Sequence, residues 1–184
     1  MLYSFPTTFY DRVMEVLMSS IDEFDKSDDP ETVLTSTLEL LAHFLQLHKG
    51  RILLWDNTTS CLAVKYSYGL SQAEIKRAKY QVCEGVTGNI LSTGLPALIT
   101  NVSQEPKFVG KITHTTKASP ISYIAVPICY KNIILGVLAV ECKHQQQGDM
   151  ESHTVILKCV AELFAKIIHS YSLCDFAPSE STYA

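Results

Sequence analysis

The sequence predicts an α+β domain in which an antiparallel sheet of about six strands carries helices from both chain ends on one face. Three observations predict it. Apolar side chains recur with a helical period near both ends of the chain and with strand-like composition in between. Several strand-like runs follow one another through turns too short for a crossover, which makes them antiparallel neighbours. Helices flanking such a sheet must bury their apolar stripes against it, in two or three layers. The 184 residues suit a single domain with a sizeable core. Its expected extent is 9–173, after an extension at 1–8 and before a linker-like tail at 174–184, CDFAPSESTYA.

The elements follow in order. Phe9, Val13, Val16, Leu17, Ile21 and Phe24 form a helical stripe. Asp29-Pro30-Glu31 offers an N-cap followed by proline at the first helical position, and Leu34, Leu38, Leu41 and Leu45 continue as a second amphipathic helix. Beyond Gly50 the period changes. Runs 51–55 and 61–66 are rich in strand formers, and Asp56-Asn57-Thr58-Thr59 joins them as a hairpin turn. Ser71 to Glu74 is a capping box opening a short helix. A strand is expected over 79–83, then the stretch EGVTGNILSTGLPALITNV at 84–102, which holds three of the chain's eight glycines. It reads as a paired-glycine turn, an apolar helix over 86–91, a Gly-Leu-Pro stop and a strand over 97–102. Residues 103–120 lack clear periodicity. Two strong strands, 121–130 and 133–142, meet at Lys131-Asn132, and a last helix runs from about Met150 to Leu173.

Composition excludes several functions. Net charge is −4, so no overall field draws the chain to nucleic acid. No apolar run reaches the roughly 18 residues of a membrane span, and the first residues lack the basic and apolar regions of a signal peptide. The six cysteines stand at least thirteen residues apart with no CxxC pair, which rules out a zinc ribbon or thioredoxin-type site and reads as a reducing cytosol. The six histidines form no HxxxH or HExxH pattern.

Glu84-Gly85-Val86-Thr87-Gly88, Gly94-x-Pro96, Asn101-Val102, Ala125-Val126-Pro127-Ile128 and Gly136 to Val140, in that order and spacing, resemble a GAF domain. The sheet is then a GAF/PAS-like one, and the likeness covers roughly residues 8 to 172. Within that family, VSQEPKFVGK at 102–111 and SPISYIAVPI at 119–128 are similar to the N-terminal sensor domain of Nif-specific regulatory proteins. The resemblance implies a regulatory ligand, 2-oxoglutarate among those bound by relatives, and a downstream AAA+ motor and DNA-binding domain in the full-length protein. No GxxxxGK[ST] occurs in this sequence.

The expected ligand-binding residues are Gly85, Thr87, Gly88, Asn101, Lys107, Lys111 and Tyr123. Gly85 and Gly88 flank a helix start, where unpartnered N–H groups receive anions and small residues let a ligand approach the backbone. Glu84 stands where its carboxylate caps the same groups internally, and the turn is equally readable as a tight connection and nothing more. Segment 103–120 is long enough to be a lid. Its Lys107, Lys111 and Lys117 suit a cationic mouth for a dicarboxylate or merely solvate a loop. Tyr123 shares strand parity with Ile121 and Ala125, and offers a phenol to a ligand or to the core.

Two other readings stay beside the sensor. One is a dimerisation module without a ligand, since the last helix carries apolar stripes at both 156, 160, 163, 167 and 164, 168, 171, more than one sheet face requires. A two-fold homodimer through the terminal helices is expected on that ground. The other is an enzyme of the branch that reduces free methionine sulfoxide with cysteines at the glycine turn and in the lid. Here the turn holds Thr87, and 103–120 contains no cysteine. Catalysis is therefore not expected.

Overall fold

The computed structural model describes residues 29–112, 120–143, 147–171 and 173, with Asp11, Glu15, Met18, Ser19 and Asp22 as separate helical positions before them. The remainder of the first expected helix and the tail at 174–184 lie outside the described residues. Asp29 caps helix α1 (Pro30–Phe44), its carboxylate accepting from the backbone of Glu31 and Thr32, with proline at the first position. The helix buries Val33, Leu34, Leu38, Leu41 and Ala42. Strands β1 (Leu47–Asp56) and β2 (Cys61–Tyr68) form the first hairpin. Ser71 and Glu74 make the expected capping box on α2 (Gln72–Arg77). There follow β3 (Lys79–Tyr80), α3 (Gly85–Thr93), β4 (Ala97–Ile99), a single 3₁₀ turn (Val102–Gln104), β5 (Ile121–Tyr130), β6 (Ile133–Lys143) and α4 (Gln147–Ser170). Lys131 and Asn132 both take positive φ, the geometry that lets two residues close a hairpin between twisted strands.

All pairings in the six-stranded sheet are antiparallel, in the order β3-β2-β1-β6-β5-β4. The sheet carries two cores because strand side chains alternate between faces. Ile52, Leu54, Ile124, Val126, Leu138 and Val140 meet α1 and α4. Leu53, Trp55, Tyr123, Ala125, Val137 and Ala139 face the other way, toward Ile90 of α3 and the irregular residues Val102 and Ile112. The result is three layers.

Three expectations change in detail. The strand foreseen at 79–83 shortens to two residues because Cys83, at φ 63°, turns the chain. The strand foreseen at 97–102 stops at Ile99, since Asn101 accepts from the Ser103 N–H and opens the 3₁₀ turn. The apolar stripes of α4 are largely consumed within one chain: Ile156, Val160, Phe164, Ile167 and Ile168 are each 3% exposed or less, whereas Leu163 is half-buried and Tyr171 is exposed. Little of their excess is left to argue for a dimer.

Candidate functional site

The face of the sheet away from α1 and α4 is where the candidate residues gather. It is built on the turn from β3 into α3. Cys83 donates its N–H to the Gly88 carbonyl, Gly88 donates to Glu84, and Glu84 donates to Gln81, a closed set of backbone bonds around residues 81–88. Two glycines are needed for it. A Cβ at Gly88 would lie 2.2 Å from the Gln81 carbonyl oxygen, closer than any side chain tolerates. Gly85 has φ 60°, and a Cβ there would meet Val109 at 2.7 Å and the Lys107 carbonyl at 3.0 Å. What presses against the glycine turn is the chain's own segment 107–109.

That segment belongs to a strap, residues 105–112, fastened over α3. Lys111 pairs with the Glu84 carboxylate, donates to the Lys79 carbonyl, and sits 4.8 Å from the centre of the Tyr80 ring. Arg77 Nε donates to the Lys111 carbonyl at 3.4 Å. The Glu84 carboxylate also accepts from the Gln81 N–H at 2.8 Å. Partial burial opposes its charge, but Lys111 and the Gln81 N–H hold its pKa below the ordinary carboxylate value. Glu84 thus does not cap α3, as its position suggested. The α3 N-terminus has no side-chain cap at all.

Beneath the strap lies a polar centre that the sequence reading reached only in part. Arg51 of β1 donates from one terminal nitrogen to Glu141 of β6 at 2.8 Å, and both side chains are 1% exposed. Burial alone would weaken the guanidinium charge. Glu141 and, less strongly, Tyr123 and Tyr80 outweigh it and keep Arg51 protonated more firmly than a free arginine. Among the described residues, its Nε has no hydrogen-bond partner. The guanidinium lies 5.3 Å from the centre of the fully buried Tyr123 ring. The Tyr123 hydroxyl shares a 2.8 Å hydrogen bond with Thr87 Oγ1 in the first turn of α3, and Phe108 of the strap meets the Tyr123 ring edge-on at 5.1 Å. Burial raises the Tyr123 pKa against the opposing influence of Arg51 and Thr87, so the phenol keeps its proton.

Beside this centre, between α3 and β4, opens a cleft of about 330 Å³. Val86, Ile90, Leu98 and Ile99 are among its apolar lining; Asn89, Thr93, Glu105 and Lys107 supply its polar groups, and Gly85 also lines it. Such a mix of apolar lining with few polar groups is what small-molecule sites use.

Of the seven expected residues, then, Thr87 and Tyr123 meet each other, and Gly85 and Lys107 line the cleft. Lys111 is turned onto Glu84 rather than into a mouth, and Lys117 lies outside the described residues. Gly88 and Asn101 serve the local turns. Arg51 and Glu141 were missed: each sits inside an apolar strand run, 90 residues apart. The available signal was a charge in each run at the parity of the Tyr123 face. Among the described residues, no three His, Cys, Asp or Glu side chains are grouped to hold a metal ion.

A model of the GAF domain family matches residues 29–168. The chain is 30% identical over 167 residues to a Nif-specific regulatory protein of Azospirillum lipoferum, covering 88% of this chain and 25% of the relative. It is 26% identical over 145 residues to nitrogen fixation protein AnfA of Azotobacter vinelandii, covering 78% and 27%. The chain thus spans about a quarter of these relatives' length. Among solved structures, the NLH2 GAF domain of A. aeolicus in an inactive state superposes with a TM-score of 0.73, at 18% identity, over 89% of this chain and 99% of that one. A free methionine-R-sulfoxide reductase from Neisseria meningitidis, in complex with its substrate, gives 0.70 at 17% identity, over 92% and 95%.

Proposed function

The chain belongs to the GAF domain family, and from that premise we propose that it is a non-catalytic sensor of a small regulatory ligand in a bacterial transcription activator of the nitrogen-fixation type. One observation carries the reading. The sheet face left free by the terminal helices holds a charged and hydroxylated centre, buried under a fastened strap and flanked by an open cleft. A sealed ion pair adds little net stability over well-packed apolar side chains, so its presence supports a role for this face beyond packing. The relay is built into β5. Tyr123 points to the ligand face, and Ile124, the next residue, packs in the core shared with Phe164 and Val160 of α4. A ligand that moves Tyr123 thus acts on α4.

The small-molecule effector in this reading is an acid such as 2-oxoglutarate. The relatives' greater length supports AAA+ and DNA-binding domains beyond this segment as the output, with no direct role for nucleic acid or membrane here. None of the described helices is long and apolar enough to cross a membrane, and the reading places the protein in the cytoplasm. It works as a homodimer through its terminal helical segments, where Met18, Val155 and Tyr171 expose 52%, 41% and 44% of their surfaces. Native mass spectrometry of protein taken directly from cells, followed by isothermal titration, tests the sensor. A retained metabolite that rebinds supports it; no binding of 2-oxoglutarate, related acids or cyclic nucleotides at millimolar concentration removes its basis.

A second reading, reduction of free methionine sulfoxide, is favoured only by the fold likeness to such reductases. Cys83 stands exposed at the turn, but the sequence 103–120 contains no second cysteine. Disulfide chemistry needs both. Consumption of NADPH through a thioredoxin system on adding methionine sulfoxide would establish it.

A further inference from the structure

We propose that Glu141 is an internal stand-in for the carboxylate of the ligand: it occupies Arg51 when the site is empty and yields to an incoming acid. This deepens the sensor reading and rests on it. The guanidinium is a fork that takes both oxygens of one carboxylate side by side. Glu141 takes one terminal nitrogen at 2.8 Å and the Tyr123 side chain also bonds the guanidinium, while among the described residues Nε has no partner in an interior 1% exposed. A sealed, unpaired N–H is costly, and a guest that binds the fork through two oxygens relieves it. The pair is therefore held, but not optimally.

The register also provides a place for the displaced carboxylate. Glu141 lies directly opposite Lys49 on β1, and residues so paired share one sheet face. Lys49 stands at the rim, its side chain 13% exposed and bonded to Glu74 at 2.6 Å. Moving from Arg51 toward Lys49, Glu141 leaves one cation for another on the same face, and the acid replaces it charge for charge. The buried guanidinium thus stays compensated, while Lys49 is shared between Glu74 and Glu141 at the rim, where water reaches the surplus carboxylate charge. Arg51 under the Tyr123 ring, Tyr123 against Thr87 and Phe108, then carry the change to α3 and the strap. In this mechanism Glu141 sets the affinity, because every acid must outcompete it.

The test uses the full chain and two probes, succinate and 2-oxoglutarate, with neutral succinamide as control, read by isothermal titration and thermal shift. Glu141→Gln removes the competing charge while keeping the shape, and at least one acid is expected to bind at least 10-fold tighter than to the wild type. Glu141→Asp, one methylene shorter, keeps the charge but loosens its reach, so it shifts affinity in the same direction and serves if the glutamine variant does not fold. The double variant Arg51→Met, Glu141→Met replaces the pair with apolar chains; it is expected to fold and to lose the acids. Unchanged or weaker acid binding in both Glu141 variants overturns the exchange, as does undiminished binding by the double variant. A neutral metabolite retained from cells, with an affinity indifferent to Glu141, overturns it too and leaves the sensor reading standing.

Discussion

At the scale of single residues, the glycine turn and the buried acids make the sharpest predictions. Gly88→Ala forces a methyl group against the Gln81 carbonyl, which is backbone and cannot step aside as a flexible side chain would. Overpacking of this kind costs about 1–3 kcal/mol, so the urea midpoint of the variant is expected to fall with an unchanged slope. A Gly88→Ala protein as stable as the wild type would show that the turn is not held as described. Glu74 predicts a pH dependence. Burial disfavours its charge, but Lys49 at 2.6 Å, with the Ser71 backbone and hydroxyl, lowers its pKa from 4.5 to about 2 in the fold. A depressed carboxylate stabilises the fold fully above its unfolded pKa and ceases to do so as the pH falls through its folded one. The contribution is thus complete above about pH 4.5 and fades toward pH 2. Thermal melts of Glu74→Gln between pH 3 and 7 are expected to lie below the wild type at neutral pH and to converge with it in acid. A constant gap across that range would contradict the assignment.

At the scale of elements, the strap is the part whose behaviour follows from one contact set. Its fastening rests on Lys111, which reaches Glu84, the Lys79 carbonyl and the Tyr80 ring together. Both charged side chains keep some access to water, 22% and 31%, so the ion pair contributes only about 1 kcal/mol or less. Lys111→Ala is therefore expected to leave the melting temperature nearly unchanged while hydrogen exchange at the Phe108 and Lys111 amides speeds severalfold. Exchange as slow as in the wild type would mean that Val109 and Phe108 alone hold the strap. The caps at Asp29 and Ser71, both hairpins and the strand-rich runs were legible in the sequence because each depends on residues within four or five positions of one another. The short β3 was not, because its end is fixed by a positive φ at Cys83, a residue type that gives no warning of it. The Arg51–Glu141 pair was hidden for the opposite reason. Period-2 patterning puts Arg51 on the side of Leu53 and Trp55, and Glu141 on the side of Val137 and Ala139, yet which strands lie side by side, and so which faces coincide, is decided by pairing across 90 residues.

At the scale of the whole molecule, the order of layers governs how the domain communicates and how it associates. One face of the sheet is spent on α1 and α4, so a signal from the other face must cross the sheet through side chains on alternate sides of β5. Association is constrained in the same way. Most of the apolar stripe residues of α4 are buried inside the chain, and the outward line of that helix reads Glu151, Val155, Lys158, Glu162 and Lys166. A dimer through the terminal helices therefore has few apolar anchors to use: Val155 on α4, Tyr171 just past its end and Met18 on the N-terminal segment. Charged residues surround the α4 anchor, and alternating signs at helical spacing suit a two-fold contact whose strength depends on salt. The expected solution mass is twice the 20.5 kDa of the chain at low salt, falling toward one copy as ionic strength rises. Val155→Glu places a charge at an exposed position that the fold does not use. It is expected to shift the mass to 20.5 kDa while leaving the melting temperature of the separated chain within a few degrees of the parent measured at high salt. Multi-angle light scattering on both proteins decides the matter: a wild-type mass that stays at one copy over a hundredfold range of concentration removes the dimer, and a Val155→Glu dimer removes α4 as its contact.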